Sequence, residues 1–313
     1  MNSEEKALAR ILFQKKVLSS NGQAYEDLFV SVMQKAFPDF KPIKIQGNLG
    51  DRKNDGYVPR QGQYYQVFAP EDINKSKSDA VSKLKEDFSG LMEYWADICH
   101  VKSFSFVMND KYQGSFPTIE KDLADIKNDN NLDGCDSFLA KDLEDVLFEL
   151  PDDMIVSIVG FVPNPEKITN IEFSVVNEVI AHISQNKTAV TRESYLNAPD
   201  FSKKIAFNGL SQHVANLLNT ASYQVGSVDE YFSMNSEFAK QEIRDNLAGI
   251  YESNTNILGN EEDGASVNIP DIIFFNILET ISGTVNATAQ DAAIVLMAYF
   301  FEACDIFEEP NED

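Results

Sequence analysis

Apolar residues recur every third or fourth position from Tyr25 to Ala36, where Leu28, Phe29, Val32, Met33 and Ala36 share one side. That spacing predicts an amphipathic helix, which Pro38 closes. The pattern then shortens. Pro42-Gln46, Gly56-Pro59 and Gln63-Ala69 read as strands, the last two joined as a hairpin across Arg60-Gln61-Gly62. From Asp72 to Ile98 the helical period returns through Ile73, Ala80, Leu84, Phe88, Leu91, Tyr94 and Trp95, predicting a long helix. A buried strand at Ser103-Met108, a helix at Pro117-Ile126, a short strand at Asp136-Leu139 and a helix at Lys141-Leu150 complete this half. Helices interleaved with strands imply an α/β layered domain.

Beyond Pro151 and the loop Val162-Pro165 the period is almost entirely helical, at Phe173-Ser184, Ser202-Tyr223, Val228-Glu252, Asp271-Ile281 and Ala289-Glu308. Two domains are therefore expected, an α/β domain at 1-160 and a mainly α-helical domain at 161-313, with the run Ile155-Phe161 at their border. The run AAIVLMAYFF at Ala292-Phe301 is half of what a bilayer crossing needs, so it reads as a buried helix. The aromatic residues Tyr231, Phe232, Phe238, Tyr251, Phe274, Phe275, Tyr299 and Phe300 exceed what one small bundle needs, and some are expected at an interface.

Charge divides the chain in the same way. Residues 1–150 hold 19 Lys and Arg against 25 Asp and Glu, and residues 151–313 hold 7 against 25, so the halves carry −6 and −18 of the net −24. Contact with a polyanion belongs to the first half, where Lys41, Lys44, Arg52, Lys53 and Arg60 form a local basic rim and are the candidate DNA-binding residues. The acidic half suits a protein partner. Cys99, Cys135 and Cys304 form no CxxC, and His100, His182 and His213 have no partner at ligand spacing. HExxH, GxSxG and P-loop patterns are missing, so ATP use would belong to a partner. The amino-terminal stretch lacks the pattern of a secretory signal, and a cytoplasmic location is expected, without a membrane span.

One stretch carries candidate chemistry. In GDRKNDGYVPRQGQYYQVF, Asp55 stands at a strand entry in an Asn-Asp-Gly turn expected to be exposed, and Gln66 and Phe68 share a strand face with Tyr64. Glu26 lies in the first turn of the preceding helix, where the helix dipole also favours an acid. Hard oxygen ligands suit Mg²⁺, and a nearby cation would help a phosphodiester hydrolase.

Glu26, then Gly50-x(4)-Asp55-Gly56, then a strand with Gln66, resembles the restriction-endonuclease (PD-(D/E)XK) superfamily in an Mrr-like arrangement. The resemblance implies a mixed sheet flanked by helices, with Glu26, Asp55 and Gln66 as ligands of Mg²⁺ or Mn²⁺. Phe68 stands where that family carries lysine, and a phenyl ring offers neither proton nor charge. Lys53, Lys75 and Lys77 are the candidates for a relocated lysine, and Asp51, Glu71 and Asp72 could add charge. The same stretch, with IAFNGL at 205–210 and VPNPEKI at 162–168, resembles effector chains of bacterial ABC three-component (Lamassu-like) antiphage systems. That likeness implies an SMC-like ABC ATPase and a small middle component as partners, a metal-dependent DNA endonuclease activity gated by them, and a C-terminal domain that docks them. A catalytically inactive adaptor on the same fold is the alternative.

Overall fold

The structure, a computed structural model, describes residues 1–44, 47, 50–165, 168, 173–185, 201–234, 237–258, 266–283, 287–302 and 306–308. It divides into an α/β unit, Lys16–Ile158 with Gly264–Ser266, and a helical unit, Met1–Lys15 with Val159–Asp263 and Val267–Asp313.

The α/β unit is built on a five-stranded mixed sheet in sequence order: β1 (Lys41–Pro42), β2 (Gly56–Val58), β3 (Gln63–Phe68), β4 (Ser103–Met108) and β5 (Gly134–Phe138). The first two pairings are antiparallel and the last two parallel, so helices must return the chain after β3 and β4. These are α3 (Lys77–Trp95) and α4 (Pro117–Asn130), which pack on each other. Together they cover one face, where Tyr64, Phe68, Phe104 and Phe106 meet Leu84, Phe88 and Leu91. On the other face Phe29 of α2 (Gln23–Ala36) contacts the rings of Phe40, Tyr65 and Phe138. The period-2 alternation of β3 therefore sends Tyr64, Gln66 and Phe68 toward α3, and Tyr65 toward α2. Helices α5 (Ala140–Phe148) and α6 (Asp152–Val159) follow, α6 occupying the run whose place was open.

Gly56 shows why the turn triplet ends in glycine. A Cβ there would lie 2.3 Å from Cζ of Phe40, whose ring lies over the backbone. Gly56→Ala is expected to destabilise the α/β unit by about 2 kcal/mol, the usual cost of overpacking. A lowered urea midpoint at unchanged slope would register it.

Several expected boundaries shift. The strand predicted at Pro42-Gln46 starts at Lys41 and is described only to Pro42, with Ile45 and Gln46 outside the described residues. The helix predicted through Ser202-Tyr223 is two, α8 (Phe201–Phe207) and α9 (Gln212–Ser222). Between them Gly209 takes φ 64°, and Asn208 Nδ2 donates to Lys204 O and Glu308 O at 2.8 Å. The IAFNGL stretch is thus a helix stop that ties to residue 308. Val228-Glu252 likewise divides into α10 (Gly226–Met234) and α11 (Glu237–Leu258).

The helical unit centres on α12 (Ile269–Ser282) and α13 (Ala287–Glu302), the latter packed by α7 (Phe173–Gln185) and α9. Every residue from Ala292 to Phe301 is buried, as a core helix requires. Of the aromatics from which some were expected at an interface, Tyr231, Phe232, Tyr251, Phe274, Phe275, Tyr299 and Phe300 are all buried in the core, and the side chain of Phe238 lies outside the described residues. Among the described residues, the exposed large apolar side chains of this unit are Phe207, Tyr223, Met234 and Ile257.

An unpredicted helix, α1 (Ser3–Ser19), opens the chain. Residues 1–15, placed by sequence within the first domain, belong to the helical unit, where Glu4 holds His213 Nδ1 at 2.8 Å and accepts from Asn216 at 3.1 Å. Leu8, Ala9 and Phe13 are fully buried. The last turn belongs to the α/β unit, where the buried Lys111 ammonium donates to the carbonyls of Val17, Leu18 and Ser20, capping the helix end. Among the described residues no helix is long and apolar enough to cross a membrane.

Candidate functional site

Gly22 N–H donates to Ala69 O at 2.6 Å, which sets the first turn of α2, and Glu26 in it, beside the end of β3. Asp55 precedes β2, and its backbone N–H donates to Tyr65 O at 3.0 Å. Its carboxylate Oδ2 accepts from Val67 N–H at 2.6 Å. These two bonds bracket Gln66, so one carboxylate is stitched to β3 on either side of the candidate third ligand. Asp55 is 3% exposed, which corrects the exposed turn expected from Asn-Asp-Gly. Its side chain replaces a ladder acceptor, and that draws it into the sheet.

Burial pushes Asp55 up to about 7, with Glu26 and Asp51 adding to the rise while the Val67 N–H and the Lys83 charge oppose it. Glu26 is also raised, mainly by burial, with Asp27 and Asp51 contributing against a hydrogen bond from Gln23. Glu26, Asp51 and Asp55 therefore share one electrostatic neighbourhood. Two buried polar atoms beside them, Gln66 Oε1 and Asn54 Nδ2, have no hydrogen-bond partner. Such orphans in a native site point to water or an ion. Among the described residues no three or more His, Cys, Asp and Glu are arranged to hold a metal.

Phe68 is core, 9% exposed and stacked on Phe106 with centroids 5.8 Å apart. Of the lysine candidates, Lys75 pairs with Asp72 at 2.8 Å and Lys77 lies over the Phe116 ring at 5.0 Å, so neither is directed to Asp55. Glu71 is exposed. Lys53 behaves differently: its ammonium sits 2.7 Å from Glu86 and 2.8 Å from Asp87. Pairing with Asp87 first, then Glu86, raises its pKa further above the usual lysine range. Asp87 is fully buried, and its other oxygen is 2.8 Å from Lys83.

Sequence reasoning passed over Lys83 and Asp87, although a signal was there. Asp87 falls between Leu84 and Leu91 on the stripe Ala80, Leu84, Phe88, Leu91 and Trp95 that α3 buries. An acid at a core position of an amphipathic helix needs partners.

The basic rim is dispersed. Lys41 and Lys44 are exposed, and Arg60 lies in the hairpin turn, 3.3 Å from Asp39 and at the end of β2 away from Asp55. Arg52 stacks over Tyr94 at 5.1 Å, while its carbonyl accepts from Trp95 Nε1. Arg52 and Lys53 are successive residues in the left-handed region, φ 57° and 61°, and line a cleft of about 720 Å³ with Asp51, Glu86, Gly90 and Tyr94. Such conformations in non-glycine residues concentrate at functional sites.

No curated protein and no solved structure matches the chain. Residues 174–308, which lie in the helical unit apart from Gly264–Ser266, match the family model of C-terminal domain 10 of the ABC-three component (ABC-3C) systems, and that stretch is similar to the C-terminal domain of a component of those systems.

Proposed function

We propose that the α/β unit is a Mg²⁺- or Mn²⁺-dependent DNA endonuclease of restriction-endonuclease-like fold, and that the chain is the effector of an ABC three-component antiphage system. The helical unit docks the SMC-like ABC ATPase and the small middle component. One observation carries the catalytic reading: the Asp55 carboxylate is fixed to the β3 backbone on both sides of Gln66, whose carbonyl oxygen is buried without a partner. Carboxylates of Asp55 and Glu26 with an amide carbonyl make a hard-oxygen donor set that fits Mg²⁺ chemistry. The order α2, three strands, α3, β4, with β3 and β4 parallel, agrees with the superfamily the motif resembles.

A divalent cation bound there supplies Lewis-acid polarisation of the phosphate and an ionised water at neutral pH. The chain's own part is to hold the ligands. Val67 N–H fixes Asp55, and the sheet fixes Gln66, in positions set before substrate arrives. Burial pushes Asp55 up to about 7, so as a metal ligand it would have to give up its proton, and affinity for the ion would rise with pH.

A second reading, a non-catalytic DNA or protein platform on the same fold, is favoured by Phe68 in the core and by the lack of a three-carboxylate cluster among the described residues. The two separate by metal exchange. With the assembled system and Mg²⁺, plasmid DNA is expected to be cut, while Ca²⁺ keeps binding and stops cutting, since it activates water poorly. Binding without cutting in Mg²⁺ and Mn²⁺ would establish the platform. The isolated chain is expected to cut weakly, because its net charge of −24 opposes a polyanion.

A further inference from the structure

We propose that Asp87 is a positioning residue that holds the Lys53 and Lys83 ammonium groups as a paired seat for the DNA phosphodiester, supplying the cation that Phe68 cannot. This rests on the nuclease reading and names the residues that would complete it.

Three observations converge on it. First, α3 spends a core position on Asp87, which is 0% exposed, and each of its oxygens meets a different lysine at 2.8 Å. Breaking a buried carboxylate out of its pairs is costly, so the arrangement is fixed rather than incidental. Second, the path for Lys53 is made by a glycine. A Cβ on Gly90 would lie 2.9 Å from Lys53 Cγ, so the interior of α3 carries its poorest non-proline helix former where the lysine stem crosses. Third, the lysine heads are not spent in the core. The Lys53 and Lys83 side chains are 35% and 38% exposed, so both stand at the surface while their anchor does not.

The seat lies at the candidate site. Lys53 is two residues before Asp55 and borders the cleft with Arg52, and Lys83 is near enough for its charge to oppose the rise at Asp55. Gln66 projects from β3 on the face that α3 covers. Glu86 and Glu93 also line the cleft. Glu86 is exposed, so it can leave Lys53 when a phosphate arrives, whereas Asp87 is buried and stays. A phosphodiester oxygen would therefore meet two ammonium groups already oriented.

Positioning can be told from plain charge. A fluorescein-labelled DNA duplex titrated into the full chain in Ca²⁺, by anisotropy across a KCl series, is expected to lose about tenfold affinity in Lys53→Gln and in Lys83→Gln. Each loss should reduce the salt slope by about 1, while Lys83→Arg retains most binding. Asp87→Asn removes a negative charge, so a purely electrostatic role predicts tighter binding. The seat predicts weaker binding, comparable to losing a lysine. Folding of this variant is checked by its melting curve. Gly90→Ala, which favours the helix but blocks the Lys53 stem, is the second variant and should also weaken binding.

Tighter binding in Asp87→Asn with unchanged binding in Gly90→Ala overturns the positioning role. Unchanged binding in both lysine variants overturns the seat and leaves the nuclease reading standing. Weaker binding in the lysine variants alongside an assembled system that binds DNA but does not cut it in Mg²⁺ or Mn²⁺ overturns the nuclease reading and leaves the phosphate seat. A wild-type chain that binds no duplex at low salt, either alone or in the assembled system, overturns both.

Discussion

Asp55→Asn is expected to abolish Mg²⁺-dependent cutting, by roughly a thousandfold or more as for other site-fixing electrostatic groups, while making the chain more stable above pH 7. Burial chiefly pushes the folded-state Asp55 carboxyl up to about 7, well above the ordinary carboxylate range. A raised carboxyl contributes stability fully below the unfolded value, and that contribution is lost as pH rises through the folded value. Between about pH 4 and 7 wild type should therefore lose stability that the uncharged asparagine keeps, up to about 4 kcal/mol. The variant's melting temperature should exceed wild type at pH 8 and equal it near pH 4. Asparagine retains an oxygen for Val67 N–H, whereas alanine would orphan that donor at a cost of about 1–3 kcal/mol. An Asp55→Asn chain that cuts normally, or one destabilised at pH 8, would refute the assignment of Asp55 as a buried ligand held against its ordinary charge state.

Phe300→Ala should have the largest effect on the helical unit. The ring is 0% exposed in α13, with Phe232 at 6.0 Å and Tyr299 at 5.2 Å between centroids. A fully buried Phe cut to Ala costs about 3–5 kcal/mol, from lost transfer energy and the cavity left behind. The lowered urea midpoint should be matched against Tyr223→Ala, whose side chain is 86% exposed and whose loss should cost less than about 0.5 kcal/mol. Equal effects would mean that α13 is not the core of its unit.

Period and punctuation were enough to read the strands and the long helix α3, because each buries one face and its apolar spacing records that face. α1 left no such record. Leu8, Ala9 and Phe13 belong to one core while Val17 and Leu18 belong to another, so its apolar positions follow no single stripe. The breaks at Gly209 and before α11 were hidden by helical spacing that runs on either side of them.

The candidate site was partly legible for a different reason. Asp55 and Gln66 are neighbours across a hairpin, and hairpin register follows from local sequence. Lys83 and Asp87 reach the same place from α3, through packing that spacing alone does not encode. Asp87 was visible only as a charge in the wrong column of a helical wheel, and Gly90 only as a weak link in a good helix. Both make sense once Lys53 is seen to pass between them.

The first fifteen residues carry a consequence for synthesis. They leave the ribosome before residues 16–158, yet they belong to the unit that begins again at Val159. At ordinary elongation rates of about 5–20 residues per second, Leu8 and Phe13 wait on the order of ten seconds or more for the rest of their unit. The segment Lys16–Ile158, which is all of the α/β unit but Gly264–Ser266, is made before then and can fold first. The nascent chain therefore carries a folded α/β unit and an α1 still waiting for its own unit, a natural client for a chaperone until the segment from Val159 onward is made.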